Sequence, residues 1–191
     1  DLSGAIVRYT NFHDTNLEGV DLSGVDLTGT ILTEADLTNA TLTGVDLSGK
    51  DLTETTLTGL DLSGMDLTGT ILTDVNLTNA ILTGADLTNA VLTSAILTNV
   101  NLENVVLTNT ILNCVSNPVC VSAGNELSGK DLTGKKLSGI DLSGMDLTGT
   151  ILTGADLSNA NLTGVDLSGM NLTGTILVGV DLSDKDLTGT I

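Results

Sequence analysis

Leucine stands at every fifth position from Leu17 to Leu112 and again from Leu127 to Leu187, and the same phase runs back through Phe12, Val7 and Leu2. Neither regular element accommodates that period. On an α-helix a step of five advances the side-chain direction by about 140°, so the leucines would wander around the axis. On a continuous strand an odd step sends successive leucines to opposite faces. A chain that bends by a right angle at each repeat points all of them inward. The bend has its own residue: all 22 glycines share one other phase, two positions after the leucine, as at Gly24, Gly29 and Gly44. Asn or an acid takes that place at Asn39, Asn79, Asn89, Glu34 and Glu54. The third residue of a type II β-turn needs φ > 0, which Gly and then Asn adopt most readily. Four such sides close a coil of 20 residues. The pattern predicts an all-β quadrilateral β-solenoid without substantial helix. Leucine fills four interior columns, with small residues such as Ala35, Ala40 and Val45 between them.

Composition agrees with a narrow tube, which leaves no room for the aromatic rings that usually dominate cores: the chain has one Phe, one Tyr and no Trp. A net charge of −18, from 24 acidic and 6 basic side chains, makes free nucleic acid and anionic membranes unsuitable partners. No apolar run approaches the roughly 18 residues of a membrane span, so this segment is not expected to insert into a bilayer by itself. The chain starts at Asp1 and stops within a repeat at Ile191, as expected of a fragment or domain of a larger protein.

Segments such as Ala35-Asp36-Leu37-Thr38-Asn39 and Ala155-Asp156-Leu157-Ser158-Asn159 resemble the pentapeptide repeat family, A(D/N)LXX, and the likeness extends over almost the whole chain. It implies a right-handed quadrilateral β-helix, a fold abundant in cyanobacteria and mostly without known biochemical activity. A minority of the family are acidic dimeric rods that resemble duplex DNA, bind DNA gyrase and protect it from quinolones. At about 4.8 Å per coil, about nine to ten coils would form a rod about 45 Å long.

Residues 1–191 read as a single solenoid with one interruption at 113–126 (NCVSNPVCVSAGNE), where Asn117 and Ser122 replace the leucine and Asn117-Pro118 signals a turn. Two readings stay open: a loop that leaves the wall, which we expect, or two degenerate repeats within it. Cys114 and Cys120 lie inside this segment. A disulfide between them is the preferred reading and would favour an oxidising compartment; two reduced thiols are the alternative. No metal or cofactor is expected. A structural zinc needs about four ligands, and His13 lies about five coils, or about 24 Å, away.

If positions 20 apart are stacked, one outward column contains Asp26, Asp46, Asp66 and Asp86, then Asp146, Asp166 and Asp186, an acidic ladder. The neighbouring column contains Ile31, Ile71, Val91, Ile111 and Ile151, the most apolar outer stripe. Contiguous exposed apolar surface marks interfaces, so this stripe is the candidate interaction face; homo-association through it or through the rod's ends is a further candidate. Lys50, Lys130, Lys135 and Lys185 occupy inward small-residue positions. Their stems are expected to follow the corners and carry the ammonium outward to nearby Asp. With one His and no nucleophile expected near it, the chain lacks a catalytic constellation. The sequence therefore points to a non-enzymatic structural or protein-interaction module with an unidentified protein partner. The alternative is a gyrase-directed DNA mimic.

Overall fold

Each five-residue side is too short to be a strand in its own right, so the wall is a stack of isolated parallel bridges. In the computed structural model, which describes residues 1–100, 102, 104–112 and 127–191, every bridge below the interruption joins residues 20 apart. Examples are Asn16 with Asp36, Asp36 with Thr56, Thr56 with Asn76 and Asn76 with Ile96. Backbone hydrogen bonds run in both directions between coils: Leu17 N–H donates to Asp36 O at 2.7 Å, and Asp36 N–H to Thr15 O at 3.0 Å. This satisfies the main-chain groups that burial would otherwise strand. The fold is a right-handed quadrilateral β-solenoid.

The corners form as the glycine phase requires. In Leu37–Ala40, the Ala40 N–H donates back to Leu37 O at 2.9 Å, and Asn39 between them has φ +54°. All the glycines among the described residues lie at positive φ. The repeat leucines of the central coils are almost fully buried, as are Ala35, Val75 and Ala85 in the small-residue slots. Leu60, the one leucine outside the phase, takes such a slot in register between Ala40 and Ala80. A large side chain between two small ones keeps the column's volume constant, which close packing demands. Threonine also enters these slots, since its hydroxyl finds a leucine carbonyl: Thr70 Oγ1 donates to Leu67 O at 2.8 Å, and Thr110 Oγ1 to Leu87 O, one coil below, at 2.8 Å.

Four outward faces can now be named by their stacked residues. The first carries Asp26, Asp46, Asp66, Asp86 and Val106; the second, Asn11, Ile31, Asp51, Ile71, Val91 and Ile111; the third, Asn16, Asp36, Thr56, Asn76 and Ile96; the fourth, Asp21, Thr41, Asp61 and Ile81. The register then changes. Ile111 bridges Asp141, 30 residues on, with Leu112 N–H donating to Asp141 O at 2.9 Å and Asp141 N–H to Thr110 O at 3.0 Å. Above this point the 20-residue spacing resumes, as in Asp131 with Ile151 and Lys136 with Asp156. One coil thus holds ten residues more than the rest, between Leu112 on the second face and Leu127 on the third. The path of 113–126, expected as a loop or as degenerate repeats, lies outside the described residues.

Side chains also interlock at the corners. A Cβ on Gly59 (φ +70°) would lie 2.5 Å from Asn39 Oδ1, because the Asn39 amide lies across the glycine of the next coil. Gly59→Ala should cost about 1–2 kcal/mol, from the left-handed backbone together with this collision. Urea unfolding should show that Asn39→Gly in the same chain restores part of that loss. An identical penalty with and without Asn39 would contradict the interlock.

Candidate interaction faces

The aspartates before each leucine are held by the following turn. Asp26 Oδ1 accepts from the Thr28 N–H at 2.8 Å and from its hydroxyl at 2.5 Å; Asp46 Oδ1 accepts from the Ser48 N–H at 2.9 Å and hydroxyl at 2.7 Å. These bonds favour the carboxylate. The Thr28 hydroxyl, then its N–H, then Arg8 bring the Asp26 pKa down from 3.8 to about 2. The same kind of bonding lowers Asp46 and Asp66, with the hydroxyls of Ser48 and Thr68 leading. Neighbouring charges act in the opposite sense: Asp26 raises Asp46, and Asp46 raises Asp66. The hydrogen bonds prevail, so Asp26, Asp46 and Asp66 remain ionised.

The register change corrects the single acidic ladder. Asp26, Asp46, Asp66 and Asp86 share the first face, but above the long coil that face continues through Lys136, Asp156 and Ile176. Asp146, Asp166 and Asp186 form a second ladder on the third face, on the opposite side of the tube. They too influence one another, Asp186 and Asp146 both raising Asp166 against the lowering by the Ser168 N–H and hydroxyl. Ten extra residues equal two sides, or half a turn, which moves each column to the opposite face.

The apolar stripe is corrected in the same way. Ile31, Ile71, Val91 and Ile111 share the second face, with Ile31 and Ile71 exposed at 49% and 40%. Above Ile111 that face becomes Asp141, Asn161 and Asp181, whereas Ile151 stands on the fourth face over Asp131. The apolar face is therefore a feature of the first half only.

The lysines also depart from expectation. Their ammonium groups donate to main-chain carbonyls of the coil below. Lys50 Nζ reaches Leu27 O, Lys130 Nζ reaches Val100 O at 2.9 Å, and Lys185 Nζ reaches Leu162 O at 2.6 Å and Val165 O at 3.0 Å. A half-buried ammonium needs acceptors, and the main-chain carbonyls around these slots, among them the leucine carbonyls that serve threonine, provide them. Lys135 is likewise half-buried. Cys114 and Cys120, the candidate disulfide, lie outside the described residues.

Sequence reasoning overlooked an acidic corner. Between the second and third faces, the positive-φ positions carry Asp14, Glu34, Glu54 and Asp74, at φ +54°, +60°, +59° and +54°. Acids in a conformation that favours Gly or Asn, stacked on successive coils, were legible as substitutions in the glycine phase. Their alignment on one corner was not considered. His13 lies beside this corner, its Nε2 3.9 Å from Glu34. Its Nδ1 is 3.1 Å from both the carbonyl oxygen and the hydroxyl of Thr33. A hydroxyl therefore does stand near the imidazole, contrary to expectation. Among the described residues no group of three His, Cys, Asp or Glu is arranged to hold a metal ion, and no helix is long and apolar enough to cross a membrane.

A leucine-filled, four-sided coil with chemically distinct outer faces defines a solenoid of pentapeptide repeats. The family model for pentapeptide repeats matches in eight copies, over residues 1–33, 35–74, 70–109, 126–164 and 150–189, and the chain belongs to that family. It is similar to HetL, a pentapeptide repeat protein involved in heterocyst differentiation regulation from the cyanobacterium Nostoc sp. strain PCC 7120. Identity is 32%, covering 97% of this chain and 84% of that one, with a TM-score of 0.56. It is more distantly similar to full-length QnrB1, a plasmid-mediated fluoroquinolone resistance protein, at 20% identity, 92% of each chain and a TM-score of 0.37. A pentapeptide repeat protein of the Arabidopsis thaliana thylakoid lumen matches at 26% identity over 58% of this chain and 70% of that one, with a TM-score of 0.28. No curated protein matches the chain.

The held aspartates give the fold a defined acid response. A carboxyl with a lower pKa folded than unfolded contributes stability that is complete above its unfolded value and lost as pH falls through the folded one. Thermal melts should therefore be flat from about pH 7 to 5 and fall between about pH 4 and the folded value of about 2 at Asp26. A melting temperature that rose on acidification would mean that repulsion within the ladders outweighs these hydrogen bonds.

Proposed function

We propose that the protein is a non-enzymatic interaction rod whose second face, at Ile31, Ile71, Val91 and Ile111, docks a protein partner. The observation that carries this reading is the run of Ile71, Val91 and Ile111 on three consecutive bridged coils. Contiguous outward apolar side chains are unfavourable in water and serve as interface surface. The wall beneath is leucine-packed, so the stripe is presented on a preformed surface. Similarity to HetL, a protein involved in heterocyst differentiation regulation, is compatible with such a role. A gyrase-directed DNA mimic is the weaker reading, because the acids are divided between opposite faces in the two halves instead of lining one side of the rod.

The test is site-specific photo-cross-linking of the full chain in its native extract, with the cross-linker at position 71 or at position 166. Position 71 should capture a discrete partner that position 166 does not, and Val91→Lys with Ile111→Lys should abolish capture from position 71. Unchanged capture by the double variant would overturn the assignment of this face.

A further inference from the structure

Building on the assignment of the second face, we infer that its occupant is a basic amphipathic helix laid along the rod. The two borders of the stripe supply the charge. On one side stands the first face with Asp26, Asp46, Asp66 and Asp86, followed by Val106 beside Ile111; on the other, the corner acids Glu34, Glu54 and Asp74, followed by Ser94 beside Val91. The carboxylates are outward and, apart from half-buried Asp86, exposed. The lowered pKa values of Asp26, Asp46 and Asp66 keep those groups charged at neutral pH. Of the basic side chains in the first five coils, Lys50 turns its ammonium to the Leu27 carbonyl, Arg8 pairs with Asp26, and His13 Nε2 lies 3.9 Å from Glu34 at the lower end of the corner. An apolar strip between two acidic borders complements apolar side chains flanked by Lys and Arg. A second copy of this chain, at −18, would bring its own acids against these borders, and like charges so placed disfavour association.

Spacing selects the helix. Successive coils place side chains about 4.8 Å apart, against a same-face repeat of about 6.8 Å on an extended strand and about 5.4 Å per helical turn. Ile31 to Ile111 spans four coil steps, about 19 Å, close to the distance of about 21 Å between i and i+14 of a helix. Ile31, Ile71, Val91 and Ile111 then face apolar residues at i, i+7, i+10 and i+14, one stripe of a helix. Asp51, which interrupts the apolar run, faces position i+3 or i+4, where a Lys or Arg belongs.

The probe is an 18-residue designed helix with Leu at i, i+7, i+10 and i+14, Lys at i+3 and Lys on both flanks. Two companions keep the leucines but carry Gln or Glu at the lysine positions. Binding to the full chain is followed by fluorescence anisotropy, with circular dichroism and thermal melts confirming that each variant is folded. The Lys helix should bind at least about tenfold more tightly than the Gln helix and the Glu helix least, with affinity falling as salt is raised. Ile71→Ser with Ile111→Ser should weaken it about tenfold or more. Glu34→Gln with Glu54→Gln should flatten the salt dependence, while Asp146→Asn with Asp166→Asn leaves binding unchanged. Equal binding of all three helices, lost on Ile71→Ser with Ile111→Ser, would overturn the basic partner and leave the docking face standing. Lys-helix binding that responds only to Asp146→Asn with Asp166→Asn would overturn both. No binding by any helix to the folded chain would overturn the helical occupant, with the docking face then judged by the cross-linking at position 71.

Discussion

Everything in this molecule depends on a right-angle turn at every fifth residue. The positive-φ position two after each leucine sets that turn, and the N–H that follows closes it on the leucine carbonyl. Four turns return the chain to its starting point one strand spacing higher, so each backbone group meets its equivalent in the next coil. The hydrogen bonds, the buried leucines and the chemically uniform columns are all consequences of that closure. The leucine carbonyl has a second lone pair, and the small-residue slot exploits it. Threonine hydroxyls and the ammonium groups of Lys50 and Lys185 end there, which is how polar side chains are accommodated in slots that otherwise take Ala and Val.

The repeat made the fold legible because period five excludes both regular elements and the glycine phase names the turn. It made the faces only half legible. Leucine phase is conserved by any spacing that is a multiple of five, whereas the identity of a face depends on position within the 20-residue coil. The 15 residues from Leu112 to Leu127 preserve the first and shift the second by half a turn. Columns extrapolated through the interruption therefore joined Asp86 to Asp146 and Ile111 to Ile151, which stand on different faces. Within the first half, where no insertion intervenes, Asp26 to Asp86 share one face and Ile31 to Ile111 another. The lysines illustrate a different limit: residue type showed that their ammonium groups need partners, but not that a carbonyl in the coil below is nearer than an aspartate outside.

The insertion has a functional meaning in this account. A perfectly periodic rod would carry one chemistry along each face. Half a turn of offset gives the two halves different surfaces: an apolar strip between acids below, and on the same face Asp141, Asn161 and Asp181 above. The proposed docking face is thereby confined to about four coil steps, a length suited to one short helical segment and not to an open-ended array.

The central claim is the half-turn offset, and cross-strand cysteines test it directly. In a background lacking Cys114 and Cys120, Ile111→Cys with Asp141→Cys should form a disulfide under mild oxidation, because bridged residues on adjacent coils lie within disulfide reach. Ile111→Cys with Asp131→Cys, the pair a uniform 20-residue register would stack, should remain reduced. Oxidation of the second pair and not the first would contradict the register on which the faces rest.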